Sequence, residues 1–172
     1  MEDKNFAERL NILRAGVLGA NDGIISIAGV VIGVASATSN IWFILISALS
    51  AIFAGAFSMA GGEYVSVSTQ KDTEEAAIAL DEITNPWHAA VSSFFAFSVG
   101  SLPPALAIML FPEPYRIPVT VVVVALTLLL TGYISAKLGK APIKQAMLRN
   151  LTVGLLTMLV TFLVGHIFHV NV

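Results

Sequence analysis

The chain contains no cysteine. Disulfide frameworks, thiolate metal sites and cysteine nucleophiles are therefore excluded, and the sequence carries no mark of a redox compartment. Charge is scarce as well. Asp, Glu, Lys and Arg make up 12% of the 172 residues, against about a quarter in a soluble domain. Histidine occurs three times, never near the middle of an apolar stretch, so an intramembrane serine–histidine pair cannot form. There is no nucleotide-binding glycine loop, no Gly-x-Ser-x-Gly and no His-Glu-x-x-His. The start, Met1-Glu2-Asp3-Lys4-Asn5, mixes charges and lacks the apolar run and cleavage site of a signal peptide.

Apolar sequence is abundant: 56% of residues are hydrophobic and the mean hydropathy is +0.85. These values describe an all-α integral membrane protein. A helix needs about 20 largely apolar residues to cross the hydrocarbon core. Five segments qualify, at 15–38, 42–69, 87–110, 118–137 and 149–169, within a single membrane domain. Residues 39–41 are too few to do more than join spans one and two as an antiparallel hairpin. Lys4, Arg9, Arg14, Lys71, Lys137, Lys140, Lys144 and Arg149 fall on one side and Arg116 alone on the other. The positive-inside rule then places the N-terminus in the cytoplasm and the C-terminus on the far side. Dispersed near the membrane, these basic residues are orientation signals and not a nucleic-acid surface.

Phe6, Leu10, Leu13 and Val17 share a helical face, so residues 1–14 read either as an amphipathic surface arm or as a helical run-in to span one. Pro103-Pro104 should kink or break span three. Pro112, Pro114 and Pro118 should keep the loop before span four short and stiff.

Two carboxylates sit where a bilayer should exclude them: Asp22 in span one and Glu63 in span two. A charge at the centre of a membrane helix costs about 2.5–3.5 kcal/mol on insertion scales, and such groups mark ion or proton routes. Ala15, Gly19, Asp22, Ser26, Gly29 and Gly33 form one stripe of span one. Its GxxxG spacings suit close approach of another helix, and a second copy of span one is the expected partner. A pure packing stripe gains nothing from an ionisable group, however. With no cation inside the spans, Asp22 is expected to meet a proton, a metal ion or both. On span two, Met59 and Glu63 are one turn apart on one face. A thioether beside a carboxylate shifts preference from hard Mg²⁺ or Ca²⁺ towards later first-row metals. Packing alone is the competing account of Met59.

These residues also resemble a family. Arg14-Ala15-Gly16, Gly19-Ala20-Asn21-Asp22-Gly23 and the run from Ser58-Met59-Ala60-Gly61-Gly62-Glu63 to Gln70 are similar to the first two spans of the vacuolar iron transporter family. Asn85-Pro86-Trp87, Pro103-Pro104, Thr131-Gly132 and Gly154 resemble its later spans. The resemblance implies a five-span homodimer that moves Fe²⁺ or related ions out of the cytosol, in exchange for protons, along a route between subunits. Asp22, Met59 and Glu63 are the motif-matched metal positions. It implies no prosthetic group and no enzyme activity; Fe²⁺ or Mn²⁺ is cargo and H⁺ the counter-ion.

One departure stands out. Many members carry a long acidic helical domain between spans two and three, whereas here residues 70–86 are a short acidic connection. Asp72, Glu74, Glu75, Asp81 and Glu82 could draw cations to a cytoplasmic entrance through their summed field, or simply form a solvated helix face. The compact form points to a prokaryotic cell membrane in preference to a vacuolar one. His166 and His169, one turn apart near the far end of span five, suit a metal exit site or an interfacial pair. His88, beside Trp87, reads as an interface anchor. The rival functions are a passive metal channel and a carboxylate–iron membrane enzyme. The enzyme is disfavoured because no Glu-x-x-His occurs. A non-transporting scaffold would leave both carboxylates unexplained.

Overall fold

The structure is a computed structural model that describes residues 2–76 and 85–168, with side chains described for 8–73 and 85–168. Among the described residues there are five helices and no strand: α1 (Glu2–Ala37), α2 (Ile41–Ala76), α3 (Pro86–Leu110), α4 (Glu113–Leu138) and α5 (Ile143–Ile167). All five are long and apolar enough to cross a bilayer.

The helix ends follow from local chemistry. Asn85 caps α3, its side-chain oxygen accepting from Trp87 N–H at 3.0 Å, with Pro86 in the first turn where its missing N–H is harmless. The same logic moves the start of α4. The expectation treated 111–116 as a loop, but Pro112 is the cap residue and Pro114 lies in the first turn. Proline is tolerated where helical N–H groups have no partner anyway. The Pro112 carbonyl accepts from Tyr115 and Arg116 N–H at 2.9 and 3.1 Å and closes that turn. Pro103 and Pro104 do not break α3, which runs through both. Residues 2–14 continue the helix of span one without interruption, which is the run-in reading of the N-terminal arm.

α1 is the hub, touching each of the other four helices. It meets α3 so closely that a Cβ at Gly23 would collide with the Phe97 carbonyl and one at Gly100 with the Ala20 carbonyl. Ile24, Ile27, Val31, Phe97, Ile108 and Leu128 fill the space around α1. Outward-facing Phe53, Phe57, Leu126 and Leu156 are all more than half exposed, the pattern of a surface solvated by lipid.

The two ends of the bundle differ in charge. At one end Arg116 donates to the carbonyls of Ser39 (3.0 Å) and Phe111 (3.2 Å), tying the α1–α2 and α3–α4 loops together. The opposite end gathers the first turns of α1, α3 and α5 and carries Arg9, Arg14, Lys71, Lys137, Lys140, Lys144 and Arg149.

Candidate ion path along the first two helices

The short hairpin sets a register between α1 and α2. Arg14 lies 25 residues before Ser39 and Glu63 24 residues after it, so the two face each other. The structure joins them. Arg14 Nη2 donates to Glu63 Oε2 at 2.8 Å and Nη1 to Oε1 at 3.5 Å. Nη2 also reaches Asn11 Oδ1 at 3.1 Å. The partners are unequally covered: Glu63 is 5% exposed, whereas the Arg14 side chain is 53% exposed. In the sequence Arg14 stands as an orientation signal and as part of a family motif, and its pairing with Glu63 was not foreseen. Equal distance from the hairpin was the signal that could have found it.

Met59 lies one turn deeper than Glu63 on the inward stripe of α2, partly buried against the main core. Asp22 is deeper again. At 1.5 Å per residue the steps below Glu63 are about 6 Å to Met59 and about 10 Å to Asp22. Asp22 is half-buried, and its Oδ1 accepts from Ser26 Oγ at 2.8 Å. Among the described residues it has no cationic partner. Ala15, two turns earlier on the same face, packs with Val67 of α2 and Ala89 of α3. The three residues form a descending series and not one closed cage. Among the described residues no three His, Asp or Glu side chains cluster as a metal site.

One strip of α1 is left uncovered. Among the described residues α2 and α5 both pack on α1 without touching each other. Leu18, 46% exposed, lies on that strip, one turn from Asp22. The glycine stripe, by contrast, is used within the chain. Added Cβ atoms would press on Ser93 of α3 at Gly19 and on Thr161 of α5 at Gly29 and Gly33. These glycines pack α1 against its own neighbours, and the expectation that they receive a second copy is corrected. A different face is free. Ser50, Ala54, Ser58, Gly62 and Ser66 recur at four-residue steps along α2, all exposed, and a Cβ at Gly62 would meet nothing within 4 Å.

A second polar cluster, unforeseen from sequence, lies behind Asp22. Asn21 Oδ1 accepts from Thr131 Oγ1 at 2.9 Å and from Asn150 Nδ2 at 3.1 Å, joining α1 to α4 and α5.

The remaining expected positions are scattered. Asp72 is exposed at the charged end, beside a cavity of about 460 Å³ lined by Tyr64, Ser68 and Trp87. Glu74 and Glu75 belong to the last turn of α2, but their side chains lie outside the described residues, as do Asp81 and Glu82. His166 is exposed and stacks on Phe162 with ring centroids 6.0 Å apart; His169 lies outside the described residues. His88 contacts the Glu8 carboxylate at 2.5 Å.

The sequence pattern of the VIT family matches residues 13–84 and 79–166. The chain is 38% identical over 168 residues to vacuolar iron transporter homolog 3 of Arabidopsis thaliana, covering 92% of this chain and 84% of that protein. It is 40% identical over 167 residues to homolog 2 of the same plant, with 92% and 85% covered. Homolog 2 of Oryza sativa subsp. japonica is 38% identical over 175 residues, with 93% and 92% covered. Matches of this extent, running through both carboxylate motifs, settle the kinship: the chain belongs to the VIT family.

Proposed function

We propose that this chain is a divalent-metal transporter that exports Fe²⁺ from the cytosol in exchange for protons, working as a homodimer, with Mn²⁺ as an alternative cargo. Its family is one of transporters and not of enzymes, and the matched relatives are named as iron transporter homologs.

The observation that carries the reading is the position of Asp22. Among the described residues it is a carboxylate with no cationic partner, one turn from an exposed leucine, beside the open strip between α2 and α5. Left facing hydrocarbon, such a group would cost about 2.5–3.5 kcal/mol or more. A second copy laid over this strip converts the half-buried carboxylate into the wall of a polar path. The small-residue face of α2 adjoins that strip and allows the close backbone approach such a contact needs.

Along this path Glu63 receives the ion near the charged end, Met59 supplies a soft donor that favours later first-row metals, and Asp22 holds it deepest. Water and the second copy complete the coordination. A carboxylate binds either a metal ion or a proton, so filling Asp22 from opposite sides with different occupants yields exchange. The excess of basic residues at the Glu63 end supports a cytoplasmic entrance there, with Asp72 at its rim and His166 at the opposite end. The compact form carries no vote between a prokaryotic cell membrane and a vacuolar one, because the plant relatives are little longer than this chain.

The test is Fe²⁺ uptake into proteoliposomes with and without an imposed pH gradient. Wild type should take up metal faster with the interior acidic and should release protons as it does so. Asp22→Asn should reduce gradient-driven uptake at least tenfold. Undiminished flux in that variant would remove the assignment; wild-type flux indifferent to the gradient would make the protein a passive channel.

A further inference from the structure

We infer that Arg14 is a selectivity residue of this path: its guanidinium occupies Glu63 as an internal competitor that a divalent cation displaces and a monovalent cation does not. The inference rests on the reading that Glu63 lies on the ion path.

The geometry makes Arg14 a strong occupant. Both terminal nitrogens face the two carboxylate oxygens, at 2.8 and 3.5 Å, a fork that a carboxylate accepts with defined orientation. A hydrated Na⁺ or K⁺ brings the same single charge and no fork, so it does not win the exchange. An Fe²⁺-like ion brings twice the charge and binds oxygen directly, so it does.

The geometry also identifies the partner that moves. Glu63 is 5% exposed and fixed within the bundle, whereas Arg14 is half exposed and can return its charge to water. Asn11, one turn nearer the charged end, already accepts from Arg14 at 3.1 Å and holds the side chain as it leaves. The swing has room, because Arg14 borders an open cavity of about 530 Å³ whose wall includes Leu10, Val17 and Arg149. Glu8, the next carboxylate along α1 among residues with described side chains, is itself engaged by His88.

A competitor of this kind lowers apparent affinity by the fraction of time the site is vacant. If Arg14 holds Glu63 for about nine-tenths of the time, metal binding weakens about tenfold. The test is calorimetric titration of Co²⁺ into the purified full chain in detergent. Titrations run in KCl and in choline chloride at equal ionic strength, which separates K⁺ competition from screening. Wild type should bind Co²⁺ equally in both salts. Arg14→Gln should bind about tenfold tighter in choline chloride, and K⁺ should weaken that binding. Equal or weaker Co²⁺ binding by a folded Arg14→Gln, without K⁺ competition, overturns the inference; a merely structural arginine gives that result. Should Arg14→Gln not fold, Arg14→Lys decides. It keeps the charge but loses the fork, so it should bind about threefold tighter than wild type, and unchanged affinity overturns the inference. The underlying path fails separately, through undiminished proteoliposome flux in Asp22→Asn.

Discussion

The Arg14–Glu63 pair is lopsided, and the lopsidedness is measurable. Removing Arg14 strands a carboxylate that is 5% exposed, while removing Glu63 leaves a guanidinium that is 53% exposed. A charge that loses its partner costs more where it is buried than where it is exposed, and the exposed loss is about 1 kcal/mol or less. Arg14→Gln should therefore lower the thermal unfolding midpoint in detergent well below that of Glu63→Gln. Equal shifts would mean that Glu63 reaches water in solution. Little of this pairing was visible residue by residue. Asp22 and Glu63 announce themselves as charges inside apolar runs, and Met59 follows from helical spacing. Arg14 lies just outside the run it serves, so hydropathy assigns it to the membrane surface. Its pairing with Glu63 appears only when the hairpin register is applied. The Asn21–Asn150–Thr131 contacts were hidden for another reason: they join residues more than a hundred positions apart, and nothing in local sequence pairs amides over that distance.

At the scale of helices, apolar length was a sufficient guide to number and approximate extent, because a bilayer tolerates little else. The ends were less legible, since hydropathy fades where capping chemistry takes over. Pro112 and Pro114 looked like loop residues and instead begin α4. The end of α4 holds one strained position. Lys140 adopts φ 52°, while Ala141 N–H reaches the Ala136 carbonyl at 2.9 Å. That is a Schellman closure, with lysine where glycine is usual. A side chain in this conformation costs about 1 kcal/mol. Lys140→Gly should stabilise the fold by roughly that amount and so raise the unfolding midpoint; a lowered midpoint would show that the turn is not strained. The glycines of α1 teach a related lesson. Their GxxxG spacing was legible, but spacing does not say which helix approaches, and the neighbours prove to be α3 and α5 of the same chain.

At the scale of the molecule, the bundle is asymmetric around its hub. α1 touches four helices and is open on the strip between α2 and α5, and α2 presents Ser50, Ala54, Ser58, Gly62 and Ser66 outward. The proposed dimer places this face against a second copy. Because the chain has no cysteine, a single introduced thiol reports proximity cleanly. Ser58→Cys should cross-link to a dimer on mild oxidation in membranes, since a disulfide needs Cα atoms about 4.4–6.8 Å apart. Leu156→Cys, on the outward side of α5, should stay monomeric. The reverse pattern would move the interface to α5 and leave Asp22 facing lipid. What tests the account most directly is the position of a bound ion. Crystals of the full chain soaked in Mn²⁺ should show an anomalous peak on the Asp22 carboxylate, about 2.2 Å from its oxygen. A peak confined to His166 or to the exposed acids near Asp72, with Asp22 still bonded only to Ser26, would contradict it.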